Sequence, residues 1–287
     1  MLTWLQILIL AVVQGACELL PVSSSAHVIV AEKLMGLDPS KPEMTMLLVM
    51  LHTGTMFAVI VYFWDDWKRD YFAAPGKIRG FLGQVVLATV CTAILGFGLK
   101  VAIEKIFMGG AAHAEIENLF SNLPLIAGAL AAVGLLIIYA GMREESAPRQ
   151  AEIQGAHACW IGLAQGISLA FRGFSRSGST ISIGLLLGLP RRKLEEFSFA
   201  LAVVLTPPVI AKEALRLLKQ PVGASHGSAL IVFAPSLAGM VLSFGAGWLA
   251  LKWLTRWLEG GRWKFFGFYC LVAAAGVLAV HFWQHGG

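Results

Sequence analysis

Apolar residues run along this chain in long blocks: Leu47–Trp64, Leu82–Ile103, Leu123–Met142, Phe197–Ala211, Ala229–Leu251 and Phe265–Trp283. Polar and charged residues collect between them. A helix needs about 20 apolar residues to cross a hydrocarbon core of roughly 30 Å. The blocks therefore predict six transmembrane helices, of which the fourth is the shortest. Composition agrees, with 57% hydrophobic and 14% charged residues among 287, where a soluble domain carries about a quarter charged. An all-α, polytopic membrane protein follows, and a soluble enzyme with an anchor is excluded. No segment outside the blocks is long enough for a second folded domain.

Two further stretches are apolar but interrupted. A single helix from Leu2 to Val30 would run about 43 Å at 1.5 Å per residue, more than the core requires. Pro21 lacks an N–H and disfavours helix in the residue before it, so a break is expected near Leu20. Ser23 is then placed to cap a second, half-length helix that meets Glu32 and Lys33. A leg in, a break at mid-depth and a short leg out make a re-entrant hairpin over residues 2–35; one kinked, tilted span is the alternative. A shift of 151 residues carries Gln14-Gly15 onto Gln165-Gly166 and Ser24 onto Ser175, into "QGISLAFRGFSRSGSTISIGLLLGLP". This predicts a second re-entrant hairpin over 157–190. Residues 1–150 and 151–287 become two repeats of one hairpin and three spans each. An odd number of crossings makes the repeats inverted, and paired interrupted segments point to a binding site near the midplane.

Loop charge sets the expected orientation. Residues 65–80 and 252–264 carry four basic residues each, whereas 104–122 carry one Lys and three Glu. The positive-inside rule puts the first two loops in the cytoplasm and the third outside, with Lys212, Arg216 and Lys219 against the trend. The net charge of +5 suits lipid headgroups and topology better than nucleic acid. No Lys or Arg precedes Lys33, so the basic start of a secretory signal is missing. Cys17, Cys91, Cys159 and Cys270 are scattered through apolar contexts and read as small core residues. Trp64, Trp67, Trp253, Trp257, Trp263 and Trp283 lie near block ends as interfacial belts. Pro207-Pro208 predicts a kink in the fourth span.

Ionisable groups at membrane depth default to function. Gln14 and Glu18 share a helix face, as do Ser24 and His27, and Arg176 stands among Ser175, Ser177, Gly178, Ser179 and Thr180. Each break opens a helix N-terminus, which favours an anion, and a guanidinium recognises phosphate by two parallel hydrogen bonds. This inventory suffices for phosphoryl transfer, with Ser24 as attacking hydroxyl, His27 as acid/base and Arg176 neutralising charge. Glu18 with Gln14 is expected to hold a divalent cation bridging pyrophosphate oxygens. The structural alternative has the serines bonded to their own backbone and Arg176 paired with Glu18. A transporter or lipid translocase is the functional alternative; it needs an anion site but no nucleophile. His52, inside the first span, reads as a histidine bonded to a neighbouring helix, with lining the pocket as the alternative, and His113, His157, His226, His281 and His285 carry no constellation.

"QGACELLPVSSSAH" and "RGFSRSGSTIS" resemble the two signature segments of the undecaprenyl-pyrophosphate phosphatase family, which is linked to bacitracin resistance, and "EFSFALAV" at 196–203 belongs to the same pattern. The likeness extends over essentially the whole chain. It implies hydrolysis of undecaprenyl pyrophosphate for carrier recycling in peptidoglycan synthesis, dependence on Mg²⁺ or Ca²⁺, and a site opening to the periplasmic side of the bacterial cytoplasmic membrane. Carried over, Glu18, Ser24, His27 and Arg176 are catalytic, while Gln14, Ser23, Ser25, Ser175, Ser177, Gly178 and Thr180 bind substrate. Monomer and homodimer both stay open. Three positions depart from the family pattern: Ala26 replaces a glycine, Arg172 a proline, and Gln14 takes the less common option. Arg172 leaves Gly173 to make the second break.

Overall fold

A computed structural model gives the fold and describes residues 2–38, 42–107, 122–143, 152–219, 229–258 and 262–285. His113, His226, the boundary between residues 150 and 151, and most of the 104–122 loop lie outside them. The described residues form ten α-helices and no strand: α1 (Trp4–Leu19), α2 (Ser24–Leu34), α3 (Pro42–Asp70), α4 (Pro75–Phe107), α5 (Leu123–Arg143), α6 (Gly155–Ala170), α7 (Arg176–Leu186), α8 (Arg191–Lys219), α9 (Ala229–Leu258) and α10 (Trp263–His285). Five of them, α3, α4, α5, α9 and α10, are long and apolar enough to cross a membrane. They coincide with five of the six predicted spans. The remaining block, Phe197–Ala211, lies inside α8, whose flanking charged residues dilute its apolar stretch. The helix continues through Pro207 and Pro208.

Both interrupted stretches break where the sequence predicts. α1 starts with a capping box, Thr3 and Gln6 bonding each other's backbone N–H. It stops before Leu20, which is extended (φ −77°, ψ 149°), as a residue preceding proline tends to be. Ser23 then takes φ 66°. Ser23 occupies the N-cap position of α2, but its hydroxyl makes no cap bond and instead pairs with Ser25 Oγ at 3.2 Å. The positive φ breaks the assumption behind the expected cap. In the second stretch Gly173 makes the turn with φ 97°, and a Cβ there would run into the Ile126 carbonyl. Here the cap is regular: Ser175 Oγ accepts from Gly178 N–H at 3.2 Å.

The elements of the two halves match in size: 16, 11, 29, 33 and 21 residues for α1–α5, then 16, 11, 29, 30 and 23 for α6–α10. Both short legs also end alike. Gly36 (φ 63°) and Gly188 (φ 79°) terminate α2 and α7, with Leu37 N–H reaching Glu32 O and Leu189 N–H reaching Gly184 O, the Schellman pattern.

Helices meet through small residues, as membrane helices do. Gly15 of α1 lies against Ser243 and Ala246 of α9, Gly162 and Gly166 of α6 lie against Ala88 and Thr92 of α4, and Gly134 of α5 faces Gly267 of α10. Inside, Leu19, Ile126, Leu130, Phe197 and Phe199 are fully buried around the two breaks. Outside, Ile94, Phe97, Val272 and Trp283 are each about 70% exposed, an apolar exterior that suits lipid rather than water.

Candidate active site where the two breaks meet

Glu18, on the last turn of α1, gathers the site. Its Oε2 accepts from Ser24 Oγ at 2.5 Å and from Gln14 Nε2 at 3.0 Å. Its Oε1 accepts from Arg176 Nη2 at 2.9 Å. Gln14 and Glu18 share a face because they lie one helical turn apart; Ser24 comes from the first turn of α2 and Arg176 from the first turn of α7. Ser177 Oγ donates to Leu20 O at 3.2 Å, so the second break is bonded directly to the first. Glu18 and Arg176 side chains are 18% and 16% exposed, low enough that the pair is only weakly screened and open enough to meet a ligand.

The remaining expected substrate-binding residues divide in two. Ser23, Ser175, Ser177, Gly178 and Thr180 are buried, with their polar groups largely bonded inside the protein. Thr180 Oγ1 is 2.8 Å from Arg176 O and 2.6 Å from Ser198 Oγ, and Ser179 Oγ donates to Arg176 O at 3.0 Å. They hold the first turn of α7 and, through it, Arg176. Arg176 Nη1 also donates to Ser198 O at 3.4 Å. Ser24, Ser25, His27 and Arg176 are only partly buried. Of the structural alternative raised by the sequence, the Arg176–Glu18 pair is present, but Ser24 bonds the same carboxylate and not its own backbone, which places Ser24 and Arg176 around one group.

His27 is held at both ring nitrogens. Nδ1 donates to the Ser23 carbonyl at 2.8 Å, since a carbonyl only accepts; Nε2 then accepts from the Tyr269 hydroxyl at 2.8 Å, with the two rings stacked. The Ser24 proton points to Glu18, not to His27. Tyr269 of α10 had no part in the sequence reading, and 242 residues separate it from His27. Ser198 lies within the "EFSFALAV" segment but drew no role of its own. Gln165, the counterpart of Gln14, bonds Thr92 of α4 and takes no part in the Glu18 cluster. Among the described residues no group of three or more His, Cys, Asp and Glu stands close enough to cage a metal.

Residues 7–276 match the family described as bacitracin resistance protein BacA. The chain belongs to this family. Its BacA relatives include undecaprenyl-diphosphatase 2 of Acinetobacter baylyi, 56% identical over 96% of this chain and 97% of the relative. The undecaprenyl-diphosphatases of Desulfosudis oleivorans and Methanosphaera stadtmanae are each 31% identical, over 93% and 95% of this chain and 95% and 96% of the relatives. Residues 14–27 and 172–182, both inside the matched region, fall at the meeting of the two breaks.

Proposed function

We propose that this BacA-family chain hydrolyses undecaprenyl pyrophosphate to undecaprenyl phosphate and inorganic phosphate, recycling the carrier lipid of peptidoglycan synthesis and giving bacitracin resistance. The observation that carries the reading is the Ser24–Glu18–Arg176 chain of hydrogen bonds: nucleophile, base and phosphate-binding cation on one carboxylate. A carrier needs the guanidinium but has no use for a hydroxyl aimed at a base, so translocation has no observation in its favour.

Ser24 Oγ attacks the terminal phosphorus while its proton passes to Glu18 Oε2. The bridging P–O bond breaks and undecaprenyl phosphate leaves with that bond's electron pair. Glu18, now neutral, releases its hold on Arg176, whose guanidinium turns to the phosphoryl oxygens as charge develops there. Water then attacks the phosphoserine, Ser24 recovers its proton from Glu18, and the proton lost by the water leaves with inorganic phosphate. His27, anchored between Ser23 and Tyr269, keeps the Ser23 turn in shape, so Ser24 starts α2 facing Glu18.

The divalent cation implied by the family is compatible with this donor set. A carboxylate offers about four lone-pair sites, and three of those on Glu18 receive Arg176, Ser24 and Gln14. The fourth, with the carbonyl end of Gln14, suits an ion that keeps most of its waters and takes phosphate oxygens, as Mg²⁺ does. Such an ion, held by Glu18 and Gln14, would neutralise pyrophosphate charge.

In the bacterial cytoplasmic membrane, the fold is read as two inverted repeats, each a re-entrant hairpin (α1–α2, α6–α7) followed by three spans, with α8 as the sixth. The matched lengths and matched Schellman ends support this. The site opens to the periplasmic side, where a prenyl chain stays in lipid while its headgroup enters.

Phosphate release from undecaprenyl pyrophosphate by the purified protein tests the reaction. Ser24→Ala is expected to abolish it, and Arg176→Ala to lower kcat by about 10³-fold or more. Full activity in Ser24→Ala would remove the proposed nucleophile.

A further inference from the structure

α3 carries His52, which the sequence alone reads as bonded to a neighbouring helix, with lining the pocket as the alternative. The structure corrects this: Nδ1 donates to the Leu48 carbonyl at 2.9 Å, one turn back along its own helix. That bond commits one nitrogen and leaves the other. Nε2 lies 3.8 Å from Glu18 Oε2, the oxygen that receives Ser24 and Gln14. The His52 side chain is 46% exposed, against 18% for Glu18, so the ring stands at the open side of the carboxylate. The site holds two imidazoles. His27 has both nitrogens bonded to the protein; His52 turns its Nε2 to the place where a headgroup must come to meet Ser24. The helix keeps it there, because Gly54, two residues on, packs directly against Met240 of α9 and fixes α3 at this level.

We propose that His52 is a substrate-positioning residue, whose Nε2 hydrogen-bonds the pyrophosphate headgroup and holds it against Ser24 and Arg176. Nε2 accepts from a phosphate hydroxyl, or donates to a phosphate oxygen when the ring is charged. Either bond places the headgroup across the face of Glu18, with Arg176 on the opposite oxygen. The assignment rests on the phosphatase reading and adds to it a contact from a third helix.

Steady-state phosphate release from farnesyl pyrophosphate by the full-length protein in detergent is the test. His52→Ala is expected to raise KM about 10- to 100-fold, the worth of a hydrogen bond to a charged group, with kcat little changed. His52→Gln, whose amide reaches the same space, is expected to recover most of that loss. An unchanged KM in His52→Ala, or His52→Gln impaired as badly as His52→Ala, overturns the proposal. If the wild-type protein releases no phosphate, the phosphatase reading fails and inorganic pyrophosphate binding decides the matter for His52. Weaker binding to His52→Ala than to wild type then supports the contact; equal binding, or none to either protein, overturns it.

Discussion

Tyr269 and Ser23 grip the His27 ring from opposite nitrogens, and the consequence is measurable. Tyr269→Phe removes one hydrogen bond and keeps the stacked ring. It is expected to lower kcat/KM about 3- to 10-fold, the range of a single neutral hydrogen bond. The melting temperature should hold, because Tyr269 is 47% exposed. A fall in stability without a fall in activity would make Tyr269 a packing residue. Glu18, Ser24 and Arg176 were legible in the sequence because charge and hydroxyls inside apolar stretches are conspicuous. Tyr269 was not, since an aromatic in a span looks like core and nothing local points 242 residues away. The expected bond of His52 to a neighbouring helix was misread: its Nδ1 partner is Leu48, one turn back on its own helix, and its approach to Glu18 depends on how α3 packs beside α1.

At the scale of elements, the two breaks were readable from Pro21 and Gly173, but not how each is made. The first relies on Ser23 at φ 66°, a conformation that no propensity rule assigns to serine; the second on Gly173 at φ 97°. Gly173→Ala is expected to cost about 1–3 kcal/mol in backbone strain, and more from contact with the Ile126 carbonyl. Thermal unfolding in detergent should show the loss, together with reduced activity as Arg176 moves off Glu18. A wild-type melting temperature in this variant would mean that the turn is looser than the structure has it. Helix lengths were under-read for a simple reason. Apolar blocks stop at the first charges, whereas α3 and α4 run on to Asp70 and Phe107, their charged ends suited to the headgroup layer.

For the whole molecule, the orientation drawn from loop charge makes an assignment that labelling can check. Asp38, between α2 and α3, and Lys77, at the start of α4, are both exposed. In intact cells a membrane-impermeant maleimide is expected to label Asp38→Cys and to leave Lys77→Cys unlabelled, with the four native cysteines replaced. The reverse pattern would turn the protein over and move the site to the cytoplasmic side. Five spans were legible as apolar blocks because length and composition suffice for them. The fourth block was harder, because the charges at both ends of α8 leave little apolar length between them.

The ion pair between Glu18 and Arg176 has a consequence for the resting molecule. With no headgroup present, the two opposite charges satisfy each other, so the site shows little net field to its surroundings. A chloride or a lone phosphate must unseat the carboxylate before it reaches the guanidinium, and gains little by doing so. Ser24 gives Glu18 its proton only as it attacks a bound phosphorus, so the grip on Arg176 loosens in step with the reaction, and the site favours what it can transform over what merely carries charge.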